Sequence, residues 1–340
     1  MLFVAAVLSC VPVRAITLVK DGKPVATILI ADDAFAARPA RPVAGMSGAP
    51  AAKIHFAALE LQRCVEKISG ATLPIASAGQ PRPAGAIVLV GASPLTESLG
   101  LNIPTGLTPE RKDEGYIILA KGDTLVLAGN DTGPYQCTFY AVSEFLNRLG
   151  VRWFMPSEFG ECVPKMATVE VTDVEYRDKP DFFVRSWSGN MAPQLIDDDL
   201  LFRLHNKLTI NPSAIIAIPG DSYLRQYLPA KELLKTHPEY WAKQIDGTID
   251  PNMVNLSNPE VPKLVAEKVK ARIIEARKKD PTFNSLGFAP DDGIPMDLSK
   301  DTMTKNLGFT DLVGREGVIT ELSVSEEWFT FVNKVTAEVV

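Results

Sequence analysis

Apolar and polar positions alternate at the start of the chain. Ile16–Lys20 and Val25–Ile30 flank Asp21-Gly22, a pattern that predicts strand, tight turn and strand. The period then lengthens. Ile54, Ala57, Ala58, Leu61, Val65 and Ile68 recur at helical spacing and predict a helix over Ala51–Ser69, stopped by Gly70. Leu73–Ala76 and Ala86–Gly91 read as strands, and Tyr116–Ala120 with Thr124–Ala128 read as a hairpin around Lys121-Gly122-Asp123. Gly129–Pro134 leads into a second long helix. Thr132 or Gly133 would cap it, Pro134 fits its first turn, and Gly150 is its left-handed stop. Strands over Val151–Phe154 and Thr168–Tyr176 complete a mixed sheet with two long helices.

The pattern changes near Arg177–Pro180. Short apolar strands are expected near residues 182, 208, 253 and 284. Helices are expected over Asp197–Asn206, Lys231–Lys235 and Pro238–Lys243, from Asn258-Pro259-Glu260 to about Lys279, and over Ser325–Val340. Buried strands alternating with helices predict βα units around a parallel sheet. The expected fold class is therefore α/β: a small mixed α/β domain over residues 16–176, then an incomplete (β/α)8 TIM-type barrel over 177–340. A barrel needs roughly 250 residues, and Pro180 to Val340 supplies 161, so the sequence predicts a truncated barrel with little or no activity of its own.

Composition narrows the function classes. Of 340 residues, 46% are hydrophobic and 22% charged, which is ordinary for a globular chain. The net charge is −6 and the densest basic cluster is Arg277-Lys278-Lys279 at an expected helix end, so nucleic acid is not an expected partner. Residues 1–15 carry an apolar core of signal-peptide size, too short for a transmembrane segment, with Val13-Arg14-Ala15 as cleavage site. Export is expected, to the periplasm, the cell surface or the medium. Lipid anchoring at Cys10 is disfavoured by Leu8 in a poor lipoprotein box. Cys10, Cys64, Cys137 and Cys162 show no zinc spacing, and the three histidines (His55, His205, His237) are too few for a His-based metal site; no metal and no cofactor are expected. The turn at 129–133 lacks the residues of a phosphate loop, and capping explains it.

Two blocks carry a resemblance. Ala57–Gln62 with Ile68–Ile75, and Tyr140–Leu146 with Leu149–Pro156, resemble the small α/β domain that precedes the barrel in α-glucuronidases and β-hexosaminidases. His237–Trp241, Asn255–Val261, Asp291-Asp292-Gly293 and Ser325–Asn333 resemble a bacterial domain-of-unknown-function family that follows this domain in secreted polysaccharide-degrading proteins. The resemblance implies a glycoside hydrolase with a TIM-type barrel, acting on a polysaccharide or glycan. Many members of the family carry a Cys-rich cluster after the Asp-Gly motif; here Ile294–Asp297 stand instead.

Glycoside hydrolysis uses two carboxyl groups, and in barrels these stand at the C-terminal ends of strands. Asp291 and Asp292 follow the expected strand Ser285–Ala289 and are the catalytic candidates; a close pair raises one pKa, as a general acid requires. Hexosaminidases carry Asp-Glu where this chain has Asp-Asp. The second catalytic carboxylate is expected beyond Val340. Arg185 and Trp187 end the first expected barrel strand and suit a carboxylate or hydroxyls and a sugar face. His205, Asn206, His237 and Tyr240 are further substrate-binding candidates, with helix capping the rival explanation for His237. A non-catalytic carbohydrate-binding or scaffold protein of the same fold is the alternative function.

Overall fold

The computed structural model describes residues 15–37, 48–108, 113–186, 195–210, 224–228, 230–244, 246–281, 283, 286–287, 297, 302 and 325–339. The chain divides into two compact units at Ile215/Ile216.

In the first unit, β1 (Ala15–Lys20), β2 (Lys23–Pro24) and β10 (Val169–Thr172) form a three-stranded antiparallel sheet in the order β10-β1-β2. The main sheet has six strands: β3 (Ala26–Ile30), β4 (Ile75–Ser77), β5 (Ala86–Val90), β6 (Tyr116–Lys121), β7 (Thr124–Gly129) and β11 (Val174–Asp178). Their order is β11-β6-β7-β5-β3-β4. The β3–β4, β3–β5 and β5–β7 pairs are parallel; β6 is antiparallel to β7 and to β11. The mixed sheet expected from the alternation is present. Leu29, Ile87, Leu89, Ile117, Val126 and Ala128 make one buried face. The intervening residues of β3, β5 and β7, among them Ile28, Ile30, Val88, Val90, Leu125 and Leu127, are buried on the other.

The long helices α2 (Pro50–Ser69) and α4 (Cys137–Arg148) pack on each other and on the sheet; the short helix α1 (Asp32–Ala36) packs on α2, and Leu95 of the short helix α3 (Pro94–Ser98) packs against the Leu29 face. α2 forms because its apolar stripe is continuous, Pro50 fits its first turn, and Gly70, at φ 77°, ends it with its N–H on Glu66 O. α4 corrects the sequence reading at its start. It begins at Cys137, past Pro134, and the cap is neither Thr132 nor Gly133. The buried Asp131 carboxylate accepts the Thr138 N–H at 3.1 Å, while Lys53 of α2 reaches across to the carbonyls of Asp131, Gly133 and Tyr135. Those bonds hold residues 131–135 in a non-helical turn past the expected start. After α4 come β8 (Arg152–Trp153), a 3₁₀ turn at Glu158–Gly160, β9 (Glu161–Cys162) paired to β8, and helix α5 (Ile196–His205).

The barrel strands expected near 182 and 208 are not seen where the chain is described. Residues 181–186 and 208–210 are bends and irregular chain, held by Arg185 N–H on Thr209 Oγ1 at 3.0 Å and Thr209 N–H on Arg185 O at 3.0 Å.

The second unit contains α6 (Ala230–Thr236), β12 (Trp241–Lys243), β13 (Ile249–Val254), α7 (Val261–Lys279) and α8 (Ser325–Val339). The helix expected over Pro238–Lys243 is instead a 3₁₀ turn followed by β12, which pairs antiparallel with β13 and buries Trp241 and Ala242. α7 starts at Val261, with Pro262 in its first turn; Asn258 accepts the Glu260 N–H one turn earlier. Trp241, Val254, Val261, Val265, Phe331 and Val335 centre this unit's core. Most of the strand expected at 284–289 lies outside the described residues, and a (β/α)8 barrel is not seen among those described. No described helix is long and apolar enough to cross a membrane.

Candidate functional site

The nominated residues go to different places. Asp291, Asp292 and Trp187 lie outside the described residues. Arg185 pairs with the buried Glu114 at 2.7 Å and donates to Lys207 O at 2.5 Å, so its guanidinium is spent within the first unit. His237 stacks on Tyr240 with ring centres 4.6 Å apart, and Tyr240 donates its hydroxyl to Glu260 at 2.9 Å, both in the second unit.

His205 and Asn206 belong to a denser group. His205, at the C-terminus of α5, is buried and stacks on Trp153 of β8 at 3.8 Å with the planes 6° apart. Its Nε2 lies 2.7 Å from Glu60 Oε1 of α2, and Asn206 donates to Trp153 O at 3.3 Å. Glu60, Arg63 and Lys67 are spaced three and four residues apart, which puts them on one side of α2. Arg63 bridges Glu60 at 2.6 Å and Glu161 of β9 at 2.5 Å; Lys67 holds Glu161 at 2.6 Å and Glu158 at 3.1 Å. Trp153 donates its indole N–H to Glu161 at 3.1 Å, which fixes the ring from its edge while His205 fixes it from one face.

The electrostatics follow from these contacts. Burial is the largest influence on Glu60 and pushes its pKa up, but the Arg63 hydrogen bonds and the His205 imidazole together outweigh it and hold the group at about 2. Glu161 is likewise held at about 2: burial opposes, and the Arg63 and Lys67 hydrogen bonds prevail. Cys64 donates weakly to Glu60 at 3.3 Å, and burial beside that carboxylate pushes its thiol well up. Glu60, Cys64 and Glu161 bring one thiol and two carboxylates within 4.8 Å of one another, a spacing a metal ion could use. Here Arg63, Lys67 and His205 already occupy the carboxylates, and the thiol is held in its protonated form, so the donor set works as an ion-pair network.

In front of this network lies a cavity of about 190 Å³. Trp153, Met155, Leu201 and Phe202 give it apolar walls; Arg63, Ser157, Glu158, Glu161 and Asp198 give it polar ones. Sequence reasoning nominated His205 and missed Glu60, Arg63, Lys67, Trp153 and Glu161. The available signal was three charged residues on one stripe of a helix otherwise rich in buried apolar positions.

Residues 155–340 match the model of a family described as "Domain of unknown function (DUF4838)". No curated protein matches the chain. Among solved structures, a family GH115 4-O-methyl-α-glucuronidase with specificity for decorated arabinogalactans is 14% identical, with a TM-score of 0.40 over 95% of this chain and 41% of its own. The chitobiase of Flavobacterium johnsoniae is 13% identical, TM-score 0.30, over 96% of this chain and 50% of its own. An exo-β-N-acetylglucosaminidase from Vibrio harveyi is 12% identical, TM-score 0.28, over 96% and 51%. The chain thus spans half or less of the first two solved structures and about half of the third.

Proposed function

We propose that this chain, which belongs to the DUF4838 family, serves in an exported glycoside hydrolase acting on a polysaccharide or glycan. The observation that carries the reading is an overlap. The family segment starts at Met155, inside the block Leu149–Pro156 whose resemblance is to the N-terminal domain of α-glucuronidases and β-hexosaminidases. In the fold that block is the exit of α4 through Gly150 into β8, so the family segment begins inside the α/β unit and takes in its β9, β10, β11 and α5.

In this reading Asp291 and Asp292 supply the proton donor. Two carboxyls in adjacent positions hold one proton between them more tightly than either would alone, which keeps an acid protonated near neutral pH. A second carboxylate acts as nucleophile or base from the far side of the sugar ring. The apolar run Met1–Ala15 supports export.

Replacing Asp291 and Asp292 singly by Ala in the full-length protein, assayed on a panel of glycosides, is the test. Removal of the proton donor lowers turnover by about 10²–10⁴-fold. Wild-type turnover in both variants overturns the assignment of these residues. Glycan retention with no released sugar from the wild type overturns hydrolysis itself in favour of a binding protein.

A further inference from the structure

We propose that the cavity between β8, the Glu158–Gly160 turn and α5 binds a single pyranose unit that carries no negative charge. The inference rests on the carbohydrate reading above for its ligand class, and it requires no hydrolysis. The volume of about 190 Å³ is below the roughly 300 Å³ at which ordinary small-molecule pockets begin, which suits one ring, such as a single residue of a longer glycan.

The walls have the chemistry a sugar ring needs. A pyranose offers an apolar C–H face and a rim of hydroxyls. Trp153, Met155 and Phe202 supply apolar surface, and Trp153 is already immobilised by His205 and Glu161, so binding would cost little further ordering of its ring. Ser157 and Asp198 supply polar groups for the rim. Asp198 sits half-buried in the first turn of α5 and has no ion-pair partner among the described residues. Ser157 is held at φ 74°, ψ 173°, a conformation side-chain-bearing residues adopt only under constraint and one that recurs at ligand clamps.

Charge selects among sugars. Among the lining residues three carboxylates (Glu158, Glu161 and Asp198) stand against the guanidinium of Arg63 and the His205 imidazole, which is held on Glu60. The Arg63 guanidinium, the group best suited to grip a uronate or a sulfate, is already held by Glu60 and Glu161. The site therefore rejects acidic sugars, accepts neutral ones and favours amino sugars, whose ammonium would pair with Asp198.

The test is isothermal titration of the full-length protein with cellotetraose, a glucosamine tetramer and tetragalacturonate. Binding is expected in the order glucosamine, then cellotetraose, with none for tetragalacturonate. Asp198→Asn keeps the shape, removes a charged hydrogen-bond partner and weakens the glucosamine tetramer about tenfold, with a smaller loss for cellotetraose. Asp198→Lys abolishes the amino-sugar preference and admits tetragalacturonate. Tetragalacturonate binding to the wild type, equal responses of all three ligands to both variants, or no binding of any ligand overturns the proposal. The Asp291→Ala and Asp292→Ala variants keep this binding, so loss of hydrolysis with binding retained, or the reverse, separates this site from the catalytic reading.

Discussion

Asp131 and Glu60 are both buried carboxylates, and their surroundings drive them in opposite directions. Burial raises Asp131 from 3.8 to about 6, because its Thr138 hydrogen bonds and the Lys53 charge do not fully compensate. Glu60 falls from 4.5 to about 2, because Arg63 and His205 more than compensate. A raised folded-state pKa means the folded form binds the proton more tightly. Asp131 therefore contributes stability below pH 3.8 that is lost as the pH rises through 6, a change of about 3 kcal/mol. Glu60 contributes stability above pH 4.5 that is lost as the pH falls through 2, also by about 3 kcal/mol. Urea unfolding across a pH series should find that Asp131→Asn removes the loss between pH 4 and 6 and is the more stable protein at pH 7. Glu60→Gln should instead cost about 3 kcal/mol at pH 7, because it strips a buried charge from Arg63, and should flatten the acid limb. A neutral Asp131→Asn or a harmless Glu60→Gln would show that these contacts do not set the pKa values. The sequence marked both regions, one as a capping turn and one as a helix stripe. It could not assign the outcome, since Lys53 lies 78 residues from Asp131 and His205 lies 145 from Glu60.

Two glycines of the α4 region show what an element's sequence does and does not say. Gly150 has φ 97°, and a Cβ there would meet Pro164 at an ordinary 3.4 Å, so its constraint is conformational alone. Gly129 has no unusual φ, yet a Cβ there would fall 2.5 Å from Cys137 Cβ and 2.6 Å from that residue's backbone carbon. Gly150→Ala should cost about 1–2 kcal/mol, the left-handed penalty. Gly129→Ala should cost about 3 kcal/mol, because the start of α4 must move. Thermal unfolding of the two variants checks the order, and equal or reversed costs would contradict the packing argument. The helix stop at Gly150 was legible from local pattern, as were α2, the β6–β7 hairpin and the alternating strands. The elements after residue 177 were less so. Trp241-Ala242 is too short to show a period, and what makes it strand is pairing with β13 and burial in the second unit's core. Arg185 reads as a strand end, whereas Glu114, far away in sequence, draws it into an irregular segment.

Among the described residues each of the two units has a buried cluster of its own. One sheet face of the first unit is built from Leu29 through Ala128, and the core of the second from Leu224 through Val335. Phe331 and Val335 of α8 join Val261, Val265 and Val269 of α7 in the second core, with Trp328 and Val339 of α8 packed against it. Phe331 is fully buried, and Phe331→Ala should remove about 3–5 kcal/mol. Local opening free energies follow the cooperative unit that a contact belongs to. Native-state hydrogen exchange of Phe331→Ala should therefore show protection lost across α7 and α8 and kept in α2 and α4. Leu61→Ala, in the apolar stripe of α2, should give the converse pattern. Parallel loss of protection in α2 and α4 on replacing Phe331 would mean that the chain opens as one cooperative body, and the two-core account would fail.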